Sequence, residues 1–234
     1  MAARRGQDEG DALTAPGTFC TAVLQTRDIH RAARFYQSVF GWTLDSECCM
    51  LNGHRAAAIA EREATTERWV PYFVASDLVR GALFDHRDPE GAVFGTCAVD
   101  DPRAVTLASG PGSIWWIEVL THRTSEAKSF YHDFFGWTFV ERAPFPPHPL
   151  YIVCMRGMGQ AAGILPIGPG WESAARWQVL FEVDDLEAST STVISSGGTL
   201  DFGPLEVPSS AVITSFYDPG GALFFLAQPY ERAA

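Results

Sequence analysis

One eight-residue stretch occurs twice in this chain. Phe35-Tyr36-Gln37-Ser38-Val39-Phe40-Gly41-Trp42 returns as Phe130-Tyr131-His132-Asp133-Phe134-Phe135-Gly136-Trp137, with Phe, Tyr, Phe, Gly and Trp in register at an offset of 95. A repeat constrains the fold more than any single motif, because each copy must build the same local unit. Other segments return in the same order. Cys49-Met50 echoes in Cys154-Met155 at an offset of 105, and Trp69 to Val74 echoes loosely in Trp177 to Glu182 at 108. Asp88-Pro89-Glu90-Gly91-Ala92 echoes in Asp218-Pro219-Gly220-Gly221-Ala222 at 130. Collinear echoes with growing offsets describe a duplicated domain whose loops differ in length.

The repeated unit is readable. Ile29, Ala32, Ala33, Phe35, Tyr36, Val39 and Phe40 fall at helical spacing, with Asp28 placed to cap the start and Gly41 to end the helix in a left-handed turn. A strand over 18–26 precedes this helix. Strands starting at Trp42 and near 46–51 and 55–60 follow, giving β-α-β-β-β. Residues 113–165 repeat the pattern, with a strand over 114–120, a helix over 125–135 ended by Gly136, and strands near 137–142, 150–156 and 160–165. A further unit over 176–228 has a strand from Trp177 to Val183 and a helix capped by Asp184 or Asp185 and running through Ser196. Its last strands are near 199–202, 211–216 and 222–227. The matching unit of the first half is short: Asp77 to Asp88 spans 11 positions, whereas Asp185 to Asp218 spans 33. About a helix and one or two strands are missing. A sheet face without its helix needs another cover, and the candidates are the N-terminal tail, the other half, or a second copy. The fold class is α+β. The expected domains are 18–110, with its second module truncated, and 111–234, after a mobile polar tail over 1–17. Pro144, Pro146, Pro147 and Pro149 make the insert around His148 a stiff loop rather than a strand.

Composition removes several function classes. The net charge of −11 argues against nucleic acid and anionic membranes, whose phosphates need a basic face. No apolar run reaches the length of a membrane span, and the N-terminus lacks an apolar signal core. The five cysteines (Cys20, Cys48, Cys49, Cys97 and Cys154) follow no CxxC or Cys/His zinc spacing, so they read as reduced packing thiols of a cytoplasmic protein. No flavin or nicotinamide motif is present, since Gly110-Pro111-Gly112 lacks the remaining glycine of a dinucleotide loop.

The β-α-β-β-β units, the Phe-Tyr…Phe-Gly-Trp helix end and the Asp-Pro-x-Gly-Ala turn resemble the vicinal oxygen chelate superfamily. That superfamily holds glyoxalase I, extradiol dioxygenases, and fosfomycin- and bleomycin-resistance proteins. The resemblance runs over about 18–229 and looks closest to its two-domain glyoxalase-like branch, often labelled hydroxylase. It implies two glyoxalase-like, cup-shaped domains, each cup holding a divalent metal. Its ligand positions fall here on Thr21, Val70, Trp116 and Gln178 of the first strands, and on Gly95 and Phe225 of the last strands. Gln178 alone could ligate there through a side-chain amide and no His, Asp or Glu stands at these positions, whereas a metal needs several converging N or O ligands. No two of the six histidines share an HxH or HxxxH spacing. The expectation is therefore no metal and no cofactor.

If the family register holds, alternation along the strands places Glu118 beside Trp116, and Glu182 beside Gln178, facing one concave space. Carboxylates in an apolar cup suit proton shuttling, so Glu118 and Glu182 are the candidate catalytic residues. Trp116, Gln178, Phe225, Tyr151, Met155 and His148 are the candidate substrate contacts, the last as part of a lid. Trp115, Trp171 and Trp177 add aromatic surface for a flat, apolar ligand. Three functional readings follow. The first is a metal-free enzyme of secondary metabolism that isomerises, cyclises or cleaves an aromatic or polyketide-like substrate. The second is a protein that sequesters an antibiotic. The third is a metalloenzyme with relocated ligands. The tandem halves can build the cup in a monomer, and a homodimer remains open.

Overall fold

Two helices start at an aspartate whose side chain caps them, and two end at a left-handed glycine. In the computed structural model, which describes residues 15–63, 66–107, 109–142, 150–168 and 172–230, helix α1 covers Ile29–Phe40. The Asp28 carboxylate accepts from the Arg31 N–H at 2.9 Å. Gly41 closes the helix at φ 73°, its N–H donating to the Gln37 carbonyl at 2.8 Å. A left-handed residue at this place suits glycine, which has no Cβ to clash. Helix α2, Thr124–Phe135, ends the same way at Gly136, φ 70°. Helix α3, Leu186–Ser195, is capped by Asp185 through the Ala188 N–H.

The strands form two mixed sheets. The first contains β1 (Phe19–Thr26), β2 (Thr43–Asp45), β3 (Cys48–Leu51), β4 (His54–Glu61), β5 (Arg68–Val74), β6 (Leu83–Arg87) and β7 (Val93–Cys97), in the order β2-β3-β4-β1-β5-β7-β6. The second contains β8 (Ile114–Thr121), β9 (Thr138–Arg142), β10 (Tyr151–Arg156), β11 (Gly159–Pro166), β12 (Arg176–Glu182), β13 (Thr199–Val207), β14 (Ala211–Tyr217) and β15 (Leu223–Pro229). Its order is β13-β14-β15-β12-β8-β11-β10-β9. The architecture is the α+β fold expected, two glyoxalase-like sheets built from tandem modules. The shortened module is also present: β6 alone stands between β5 and β7, where α3, β13 and β14 stand between β12 and β15.

The chain packs into two compact units, each taking pieces from both sheets. One unit holds Met1–Thr21, Pro71–Pro102 and Glu118–Trp177; the other holds Ala22–Val70, Arg103–Ile117 and Gln178–Ala234. Each contains one copy of the repeated stretch and gives it the same work. In the second unit the Trp69 Nε1–H donates to Tyr36 Oη at 2.8 Å, and that hydroxyl donates to Asp218 Oδ2 at 3.0 Å. In the first unit the Trp177 Nε1–H donates to Tyr131 Oη at 3.0 Å, which donates to Asp88 Oδ2 at 3.1 Å. The Trp42 Nε1–H donates to the Gly112 carbonyl, and the Trp137 Nε1–H to the Gly17 carbonyl, each at 3.0 Å. Buried polar groups are costly unless paired, so the whole Tyr–Trp–Asp set must repeat together. Around it the rings pack edge to face or tilted: Phe35, Tyr36, Phe40 and Trp42 with Phe181 and Phe224, and Phe130, Tyr131, Phe135 and Trp137 with Phe73 and Phe94.

Residues 15–17, expected within a mobile tail, are bound. The Gly17 N–H donates to the Val74 carbonyl at 2.8 Å, and the Arg156 Nε–H donates to the Pro16 carbonyl at 2.7 Å. Polar tail composition did not reveal that Gly17 completes the Trp137 bond. Residues 1–14 of that tail, and 143–149 of the proline-rich loop, lie outside the described residues. Among the described residues no helix is long and apolar enough to cross a membrane.

Candidate functional site

Glu118 lies on β8, facing Gly163 of β11 across a parallel pair. Gly163 in turn faces Val153 of β10. A glycine between two strands leaves room above the sheet for a neighbouring side chain to cross. The Tyr151 phenol takes that route and donates to Glu118 Oε2 at 2.9 Å. The glycine inside the β11 pattern was the signal for this close approach, and sequence reasoning passed over it.

Glu118 is 7% exposed. Burial pushes its carboxyl up to about 7 from an ordinary 4.5, and the Tyr151 hydrogen bond opposes that rise. Removal from water disfavours the charged form, and a neutral phenol recovers only part of that cost. Glu67 shows the opposite balance. Its burial also pushes upward, but the Arg31 guanidinium at 2.6 Å, the Thr26 hydroxyl at 2.8 Å and the Arg27 N–H outweigh it and hold the carboxyl below its ordinary value. Glu67 is a fixed anion tying α1 to β1, whereas Glu118 is poised to exchange a proton near neutrality.

Glu182 sits half-buried at the end of β12. Its carboxylate accepts from the Gly110 N–H at 3.1 Å, its backbone N–H donates to the Ser113 carbonyl at 2.9 Å, and its own carbonyl accepts from the Gly112 N–H at 2.8 Å. The first unit makes the same backbone exchange with Val74, whose N–H donates to the Thr18 carbonyl and whose carbonyl accepts from Gly17. A residue without a carboxylate holds that join equally well.

Of the expected substrate contacts, Met155 shares β10 with Tyr151, beyond a register shift between Cys154 and Met155. In the second unit, Phe225 of β15 clusters with Leu180, Ala211 and Ala227, and the partly buried Trp115 and Trp116 pack against them. Gln178 is buried on β12. Trp177 serves the Tyr131 network instead of a ligand surface. His148 and Trp171 lie outside the described residues.

The residues at the family's metal positions do not fit an ion. Val70 is buried in β5, and Phe225 and Trp116 belong to the apolar cluster. A Cβ on Gly95 would fall 2.1 Å from the Tyr72 ring. That ring therefore fills the space a ligand at residue 95 would need, and its hydroxyl donates to Asp85. Among the described residues no group of three His, Cys, Asp or Glu side chains could hold a metal.

Comparison with known proteins shows a family likeness over the second half of the chain and the fold. The family model described as Glyoxalase/Bleomycin resistance protein/Dioxygenase superfamily matches residues 113–226. A Mycobacterium tuberculosis protein provisionally named glyoxylase CFP32 is 28% identical, the alignment covering 88% of this chain and 92% of that one. The anthracycline biosynthesis protein DauV of a Streptomyces species is 23% identical over 94% of this chain and 97% of its own. Among solved structures, the Mn(II)-bound glyoxalase from Novosphingobium aromaticivorans superposes with a TM-score of 0.62 at 16% identity, over 92% of this chain and 82% of that one. That likeness is one of fold.

Proposed function

We propose that this chain, whose residues 113–226 match the model of the Glyoxalase/Bleomycin resistance protein/Dioxygenase superfamily, is a metal-independent enzyme of secondary metabolism acting on an aromatic or polyketide-like substrate. The carrying observation is the buried Glu118 carboxyl under the Tyr151 phenol. As a carboxylate, Glu118 takes a proton from a carbon next to a substrate carbonyl; as a carboxylic acid, it returns that proton at another atom. Tyr151 holds the carboxyl in one orientation and eases the charge in its ionised form. The two protonation states are close in energy near neutral pH, which suits a group that must give and take in one cycle. Isomerisation, cyclisation and lyase chemistry all reduce to such transfers and need no oxidant. The name of DauV supports the substrate class. Glu182 is the lesser candidate, because its carboxylate is already engaged at a strand join.

The test uses a panel of fused-ring aromatic ketones, with turnover followed by absorbance and binding by tryptophan quenching. Chelator-treated protein should retain full turnover. Glu118→Gln should lose roughly 10²–10⁴-fold in turnover, the usual worth of a general acid–base group, while quenching persists. Tyr151→Phe should keep turnover but move its acid limb to higher pH, and Glu182→Gln should change little. Turnover that survives Glu118→Gln refutes the reading. Wild-type protein that binds without any turnover favours the sequestering alternative, for which the aromatic cluster is the motive.

A further inference from the structure

Comparison of the short module with its complete counterpart leaves one strand place vacant. β6 stands where β14 stands in the complete module. The turn after each is alike: Asp88 Oδ1 accepts from the Glu90 and Ala92 N–H groups, and Asp218 Oδ1 from those of Gly220 and Ala222. His86 faces Phe94 as Phe216 faces Phe224. On its other side β14 pairs with β13, Leu200 opposite Phe216 and Phe202 opposite Ser215. Among the described residues β6 has no such neighbour and is the edge of its sheet.

Exposure follows this difference. Thr214 and Phe216 are 3% and 0% exposed, whereas Phe84 and His86, at the same positions, are 50% exposed and half-buried. Val79 and Val99, in the loops beside the start of β6, are 77% and 48% exposed. Phe134, 41% exposed, packs edge-on to His86. An open strand edge beside exposed apolar side chains is a template for another strand. The N-terminal residues 1–14 have only Met1 and Leu13 as large apolar residues and no alternating run, so they make a poor filler.

We infer that β6 pairs antiparallel with β6 of a second copy of this chain, about a twofold axis at His86. The Asp88 N–H bonds to Ala92 across the turn, so alternation along the ladder turns the backbone groups of Leu83, Asp85 and Arg87 to the open edge. An axis at Asp85 would set two carboxylates directly opposite each other, which is destabilising. An axis at His86 sets Asp85 opposite Arg87 twice, on residues whose backbone groups face the partner. Sequence charge therefore selects one register.

The test is light scattering on the full chain. Wild-type protein should be a dimer. Arg87→Asp, which sets carboxylate against carboxylate at both pairs, should weaken it roughly tenfold or more. The double variant Asp85→Arg/Arg87→Asp reverses both charges and should restore it. His86→Cys brings two thiols together at the axis and should oxidise to a linked dimer, faster than Met158→Cys on a fully exposed turn. A wild-type monomer, a dimer indifferent to Arg87→Asp, or cross-linking no faster than at residue 158 overturns the inference.

Discussion

Glu118→Gln should stabilise the folded protein at alkaline pH. The wild-type carboxyl titrates near 7 when folded and near 4.5 when exposed. Between those values the folded state holds the proton more tightly than the unfolded state, so wild-type stability falls as pH rises through this window. Above pH 7 the folded protein contains a buried carboxylate. The gap of about 2.5 units at about 1.36 kcal/mol per unit amounts to roughly 3 kcal/mol. Glutamine keeps an oxygen to accept from Tyr151 and never ionises. The variant should therefore match wild type near pH 4.5 and exceed it by about 3 kcal/mol at pH 8, or roughly 6–12 °C in Tm for a chain of this size. Thermal unfolding of both proteins across pH 4.5–8.5, followed by tryptophan emission, isolates the difference, because other titrating groups cancel. A difference that is flat with pH, or a variant less stable at pH 8, would show that Glu118 is not a desolvated proton carrier.

Two further perturbations probe the frame. Tyr36→Phe and Tyr131→Phe each strip an acceptor from a buried indole N–H and a donor from a buried aspartate, so each should cost about 1–3 kcal/mol; chemical denaturation should give similar losses at both sites, and a marked asymmetry would contradict the equivalence of the two networks. Gly220→Ala would place a Cβ 1.8 Å from Glu67 Oε2 and 2.7 Å from Arg31 Nη2. It should cost about 2–4 kcal/mol by displacing Arg31 from the buried Glu67 carboxylate, read as a fall in Tm that Gly168→Ala, with open space around its Cβ position, does not reproduce.

The glycine and aspartate punctuation made the modules legible. Asp28, Gly41, Gly136 and Asp185 act through backbone groups within a few residues, so their effect is local and visible in sequence. The echo of Asp88 in Asp218, with 22 fewer residues before it, exposed the truncated module, because deletion alters spacing before it alters shape. Strand alternation singled out Glu118 and an apolar setting gave the direction in which its carboxyl shifts, whereas the size of that rise depends on burial.

Tertiary structure decided what distance in the chain conceals. Tyr36 reaches Asp218 and Tyr131 reaches Asp88 across very different separations, and no spacing rule predicts either. Two spatially similar anions come from unrelated positions: Glu67 accepts from the Thr26 hydroxyl, and Glu90, from the turn after Asp88, accepts from the Thr121 hydroxyl. Gly220 stands where Glu90 stands, and its bare Cα leaves the room that Glu67 fills. The sequence by itself determined the order of the modules, the missing strand and the poverty of metal donors, since these are properties of pattern and residue type. Packing alone decided which glutamate has its carboxyl lowered and which has it raised, because a carboxyl's protonation depends on the charges and water around it, and those are brought together only by the fold.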